Sequence, residues 1–424
     1  MKFAAFFLLS FCAFADRQPL TLRQAVEMAL QQNPDITLAR LNEQQATQGI
    51  RVAQDPFHPK VYVGSGLAWS NGFPMSIEGS APSVLQAKAV SSIYNMPQRY
   101  GIAQARENAR GANIDVASKR EEIALRTAML YLDAERMMQA AKMARKQIET
   151  LDGLLSGIRA RIQEGRELPI EKMKGELKIA QARQRLEAFE IDLRYVGESL
   201  AVVVGLSADD QAVPTEEERT FALLPETEDS AVESALESSK EIRRIESSIL
   251  AKGFEVKSNQ ARKLPQIDLV AQYALLAKFN NYEDYFRTFQ RHNGQLGVSI
   301  QVPVYTGSAA KAMAAQGSTE ILRLRVEAVN TRNRITLETR KAHQDVTRAQ
   351  RASEVSGLDL AVSREQVNMA LAQLQEGRAT LRQVEEARLQ ESEKWLALYD
   401  SRYNLERSKL TLLKHTGLLL AALK

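Results

Sequence analysis

The chain has no proline between Pro97 and Pro169, and none after Pro303 up to Lys424. Proline costs roughly 3 kcal/mol inside a helix, so both stretches are free to run as uninterrupted helix. Their residues are mostly Ala, Leu, Arg, Glu and Gln, which are strong helix formers. Glycines mark off the lengths: Gly101 to Gly165 is 64 residues and Gly307 to Gly377 is 70. At ~1.5 Å per residue these are helices of about 96 and 105 Å. No globular domain of this chain length needs helices that long.

The two stretches belong to a duplication. Ala29-Leu30 recurs as Ala235-Leu236, Ile36 as Ile242, Pro59 as Pro265, Pro97 as Pro303 and Gly101 as Gly307, each 206 residues on. Glu164-Gly165-Arg166 recurs as Glu376-Gly377-Arg378 and Gly205 as Gly417, now 212 residues on. The second copy therefore holds six extra residues between its Pro-x-x-x-Gly and its Glu-Gly-Arg. The expected organisation is a first repeat over 16–206, an inter-repeat segment over 207–229 and a second repeat over 230–424.

Each copy reads helix, strand, strand, long helix, tip, helix. Capping boxes at Thr21-x-x-Gln24 and Ser230-x-x-Glu233 open the first helices, and Pro56, Pro59 and Pro265 close them. Pro97, Gly101, Pro303 and Gly307 mark strand-to-helix junctions. Gly165 and Gly377 suit helix C-termini, with restarts at Pro169 and at the capping box Thr380-x-x-Gln383. Gly153-x-x-x-Gly157 is expected to permit a close helix contact. The segment between the copies is acidic and carries Pro214 and Pro225; it reads as a collar packed on the helices or as a tether.

Alternation with a period of two marks the strands. Ile267, Leu269, Ala271, Tyr273 and Leu275 form one apolar face, as do Val61, Val63, Leu67 and Trp69 with Ser65 among them, and Leu296, Val298, Ile300, Val302 and Val304. The strand before Pro97 is less regular and is placed by its position in the repeat. Such lengths match a membrane-crossing strand of roughly 9–11 residues. Four strands cannot close a barrel, since the known minimum is about eight, and an open edge in lipid leaves backbone groups unpaired. Several chains must then share one barrel; a soluble four-stranded sheet is the alternative. In the second long helix Ala342, Val346, Ala349, Ser353, Ser356, Leu360, Ser363, Val367, Ala370 and Leu374 form a coiled-coil seam. Val355, Val362 and Met369 run beside it, as expected of a helix packed on two sides; a two-helix hairpin with a broad seam is the alternative.

Residues 1–15 read as an export signal: Lys2, an apolar run from Phe3 to Phe14, and the small residues of Ala13-Phe14-Ala15. Cys12, within it, is the only cysteine, and Phe11 suits lipidation there poorly. With 56 Lys and Arg against 52 Asp and Glu, the net charge of +4 gives no case for nucleic-acid binding. No apolar run reaches the ~20 residues of a membrane helix. Phosphate-loop, zinc-protease, nucleophile-elbow and paired CxxC motifs are absent, and His58, His292, His343 and His415 lack metal-ligand spacing. The expectation is a non-enzyme without cofactor or metal.

In order along the chain, "TLRQAVEMALQQNPDI", "LPQIDLVAQY", "VSIQVPVYTGSAAKA" and "EGRATLRQVEEARLQ" resemble the motifs of the bacterial outer-membrane efflux proteins, the TolC family. The resemblance covers nearly the whole chain after the signal. It implies a homotrimeric α-barrel continuous with a 12-stranded outer-membrane β-barrel, serving as exit duct of a tripartite efflux or type I secretion system. It implies as partners a periplasmic adaptor, an inner-membrane pump and outer-membrane lipid. The hairpin tips Gly165, Arg166, Gly377 and Arg378 become candidate adaptor contacts. Arg382, Gln383 and Glu386 fall at or beside the family's acidic pore entrance, with Glu385 next to them; Gln383 departs from that pattern. Leu374 and Ala379 stand where some members hold a Tyr and Arg latch, so the latch is not expected. The rival reading is a periplasmic coiled-coil adaptor or scaffold without a pore.

Overall fold

The computed structural model describes residues 17–66, 83–165, 168–207, 209–215, 219, 223–277, 290–305 and 307–423. The expected export signal, Cys12, Leu67, Trp69 and Arg166 lie outside them. In chain order the elements are β1 (Arg17–Leu20), α1 (Leu22–Gln32), α2 (Pro34–Gln54), a 3-10 turn (Asp55–Phe57), β2 (Lys60–Gly66), β3 (Ser83–Tyr94), α3 (Met96–Gln163) and α4 (Pro169–Val204). They continue as β4 (Gln211–Pro214), α5 (Glu228–Ser238), α6 (Lys240–Ala261), β5 (Gln266–Leu276), β6 (His292–Gln301), α7 (Ala309–Gln375), α8 (Leu381–His415) and α9 (Leu419–Ala422). The chain is mainly α with a small β part, as expected, and α3 and α7 run 68 and 67 residues.

Two compact units divide these elements, and neither unit is one repeat. The first takes residues up to Leu38, Ala117–Ser239 and Arg332 onward; the second takes Ala39–Val116 and Lys240–Thr331. Each unit draws on corresponding parts of both copies.

In the first unit the opening helix of each copy proves to be broken. Asn33 separates α1 from α2: its Nδ2 donates to the Val203 carbonyl at 2.9 Å and its Oδ1 accepts from the Asp35 amide at 2.9 Å. Pro34 follows at a first helical position, where its missing N–H costs nothing. Gly205, closing α4 at φ 89°, packs so tightly there that a Cβ would stand 2.6 Å from Cβ of Gln32. The second copy repeats the device. Ser238 Oγ donates to the Thr416 carbonyl at 3.0 Å, and a Cβ on Gly417, at φ 73°, would stand 2.6 Å from Ser238. The second opening box forms one residue triplet earlier than expected. Thr227 is the cap and Ser230 its partner, because Glu228 and Asp229 already sit in the first turn.

Leu22, Val26, Ile36, Tyr131, Leu200 and Leu410 belong to the main core of this unit. The inter-repeat segment packs onto it. β4 pairs in parallel with β1. The Tyr131 hydroxyl donates to the Thr215 carbonyl at 2.9 Å and accepts from its amide at 3.1 Å. Arg219 pairs with Glu135 and with Glu406, its guanidinium over the Tyr131 ring. The seam expected on α7 is the packed face: Ala342, Leu360, Ser363 and Val367 are buried and its other members are half-buried. Gly153 meets open space, contrary to the expectation for that residue; on the facing helix a Cβ at Gly175 would stand 3.1 Å from Leu155.

The second unit carries one antiparallel sheet in the order β2-β3-β5-β6. Its register aligns the apolar stripes. Val61, Ala89, Ala271 and Leu296 form one row, with Val63, Ala87 and Tyr273, then Leu269 and Val298, then Ile267 and Ile300 on the same face. The opposite face is mixed: Tyr62, Lys88, Gln272 and Gln295 form one row, Lys60, Val90, Val270 and Gly297 the next, and Ser92, Asp268 and Ser299 another. β6 ends at Gln301, before Val302 and Val304, because Pro303 cannot donate to a ladder. The helices of the unit hold the sheet's base: Ser258 Oγ donates to the Pro97 carbonyl at 2.9 Å and Gln98 Nε2 to the Ala53 carbonyl at 2.9 Å.

Candidate pore entrance

Both hairpins turn on a glycine in the left-handed region, where a side chain is strained. Gly165 has φ 72° and its amide donates to the Ile162 carbonyl at 3.0 Å; Leu168 then caps α4, with Pro169 at its start. Gly377 also has φ 72°, with its amide 3.0 Å from the Leu374 carbonyl and that of Arg378 2.8 Å from the Gln373 carbonyl. Arg378 pairs with Glu376 at 3.1 Å. Ion pairs between α3 and α4 step antiparallel away from the first tip: Arg159–Glu176 at 3.1 Å, Asp152–Arg183 at 3.8 Å and Arg145–Glu190 at 2.6 Å. α7 and α8 are joined in the same way by Lys394–Asp359 at 2.6 Å and by Arg364, 3.6 Å from Glu391 and stacked on Trp395.

Among the residues expected at the entrance, Arg382, Gln383 and Glu386 are exposed on the first turns of α8. Arg382 and Glu386 pair at 3.6 Å. Gln383 is occupied by the cap: its Oε1 accepts from the Thr380 amide at 2.8 Å while its own amide donates to the Thr380 hydroxyl at 3.4 Å. An amide that completes a capping box holds the helix start.

Between them sits the residue that the sequence reading passed over as a neighbour. Glu385 is 9 % exposed, and its Oε1 has no hydrogen-bond partner. Beside it Leu389 packs on Leu151, Leu155, Ile179 and Ala182, the cluster that joins α3, α4 and α8 near the tips. Burial drives the Glu385 carboxyl up to about 7, against the opposing pull of Arg161, Arg388 and Lys178, with Glu386 adding to the rise. A signal was available: Glu385 lies four residues before Leu389, on the stripe that α8 buries.

An amphipathic sheet with two unpaired edges, joined to paired long helices ending in glycine tips, defines an outer-membrane channel protein. The comparisons agree. Residues 25–205, most of the first copy, match the outer membrane efflux protein family. The outer membrane efflux protein BepC of Brucella suis biovar 1 (strain 1330) is 21% identical over 348 residues, covering 80% of this chain and 73% of that protein. The crystal structure of CusC superposes with a TM-score of 0.77 at 13% identity over 93% of this chain and 92% of that one. The Campylobacter jejuni CmeC outer membrane channel does so at 0.77 and 12% over 94% and 86%. The chain is similar to the outer membrane efflux proteins of the TolC family, through its first copy by family match and along nearly its whole length by fold. It resides in the outer membrane, and its role is that of an exit duct.

Proposed function

We propose that three copies of this chain close one channel and that its hairpin tips dock on a periplasmic adaptor fed by an inner-membrane pump. The observation that carries the reading is the sheet: four antiparallel strands with an aligned apolar face, exposed at Val61, Leu296 and Ile300, and unpaired edges at β2 and β6. In lipid each unsatisfied backbone group costs several kcal/mol, so edge β6 must meet β2 of another copy. Three copies supply twelve strands, within the range of closed barrels. The exposed Val355, Val362 and Met369 on α7, and Leu177, Ile191 and Tyr195 on α4, support the same ring, since isolated chains seldom leave such stripes uncovered.

Within the ring Gly165, Gly377 and Arg378, together with Arg166, are the adaptor contacts, and Arg382 and Glu386 border the entrance. The division into repeats 16–206 and 230–424 about a segment 207–229, after an export signal over 1–15, belongs to the same proposal. The test is reconstitution. Detergent-purified protein should sediment as a trimer and give unit conductance steps in planar bilayers. A water-soluble monomer that leaves bilayers silent would refute the ring and favour an adaptor without a pore.

A further inference from the structure

We propose that Glu385 is a proton-operated positioning residue of the entrance: protonated, it lets the first turns of α8 pack on α3 and α4; ionised, it drives them apart. The inference rests on the reading of these tips as the channel mouth. Its basis is geometric. Glu385 is 9 % exposed, while Arg382 and Glu386 on the same turns are exposed and paired to each other. Its Oε1 faces no donor, and the adjacent packing is the apolar contact of Leu389 with Leu155 and Ile179.

The charged groups around it come from all three helices: Arg161 on α3, Lys178 on α4, and Arg388 and Glu386 on α8 itself. The three cations attract the ionised carboxylate. A neutral carboxyl fits the buried position; a carboxylate there has its Oε1 without a hydrogen bond and is penalised by desolvation. Loss of the proton to solvent therefore favours a loosened arrangement in which the carboxylate reaches water or those cations.

The sign follows from linkage. The packed form binds the proton more tightly than a solvated carboxyl, so it is favoured in acid and loses ground as pH rises from the ordinary carboxyl value toward about 7. Raising the pH from about 5.5 to about 8 should shift the packed-to-loose ratio roughly 25-fold, taking 4.5 for the loose form and about 7 for the packed one.

Hydrogen exchange of the Val384–Leu389 amides in the full-length protein in detergent reads this directly, after correction for the intrinsic pH dependence of exchange. Wild-type protection should fall roughly 25-fold across that range, while E385Q, neutral at every pH, should keep the acid-side protection throughout. Wild-type protection independent of pH would overturn the proposal whatever the variant does. Bilayer conductance separates the two readings. If wild type conducts but its current and exchange ignore pH, the Glu385 proposal fails alone. If no protein conducts at any pH, the channel-mouth reading fails and takes the role of Glu385 with it.

Discussion

Replacing Val355, Val362 and Met369 together by serine tests whether the second face of α7 is an interface. In the single chain these side chains are 64%, 57% and 55% exposed, although they repeat every seven residues beside a seam that is packed. Fully burying such a side chain is worth about 1.5–3 kcal/mol, so covering the exposed half or more contributes roughly 1–1.5 kcal/mol each, or about 4 kcal/mol per contact. Three contacts in a closed ring make that about 12 kcal/mol per trimer. The barrel edges remain, so the variant should still assemble, but its trimers should dissociate in detergent at far lower temperature and higher protein concentration. Sedimentation and heat-dissociation gels measure both. Leu360→Ala is the control: Leu360 is 3 % exposed within one chain, and its loss should cost about 2–5 kcal/mol of folding stability, without selective loss of the trimer. Serine trimers as durable as wild type would refute the assignment of this face.

Gly205→Ala and Gly417→Ala should each destabilise the protein by roughly 2–5 kcal/mol, from the left-handed backbone and from a 2.6 Å contact with Gln32 or Ser238. Gly153→Ala, mid-helix with nothing within 4 Å, should stabilise by up to about 1 kcal/mol in the same denaturant titrations. Tyr131→Phe removes both hydrogen bonds to Thr215 and should cost about 1–3 kcal/mol, read as faster tryptic cleavage after Arg219. Burial and the neighbouring Lys414 hold His415 below its ordinary value of 6.5. Its contribution to stability is therefore complete above that pH and is lost as pH falls below it, a loss that His415→Gln should abolish in thermal melts from pH 8 to 5.

The long helices, their tips and the α7 seam were legible because each rests on local signals: proline absence, glycine at a left-handed turn, and apolar spacing. The lesser elements show where local signals stop. The break at Asn33-Pro34 depends on Asn33 reaching Val203, 170 residues away, a contact no window of sequence contains. β3 lacks clean alternation; the strands on either side fix its register, with irregularities near Ser83 and Tyr94. At the entrance Glu385 and Glu386 are alike as charges, and only the spacing of Glu385 to Leu389 sets it apart in sequence. The packing of α8 on the α3–α4 cluster is what buries Glu385. The second cap moved to Thr227 because Thr227 and Ser230 are both competent caps, and the acidic first turn decided between them.

The six extra residues of the second copy bear on how two unlike hairpins could share one channel mouth in the proposed ring. Measured from Pro97 and Pro303 to the tip glycines, the second arm is longer, and a helix built from all of it would overshoot by about 9 Å at ~1.5 Å per residue. The excess does not enter the helix. Gly101 lies inside α3, which begins at Met96, whereas Gly307 takes φ 68° and α7 begins only at Ala309. A left-handed glycine cannot be an interior residue of a right-handed helix, so the helix start is displaced past it. What remains helical is 68 residues in one arm and 67 in the other, a difference of about 1.5 Å in rise. Duplicated arms under no common length constraint have no reason to discard an insertion at the strand-to-helix junction. On the proposed ring, arms that end level around one entrance do, and the junction is where residues can be absorbed without shifting the register of the α7 seam.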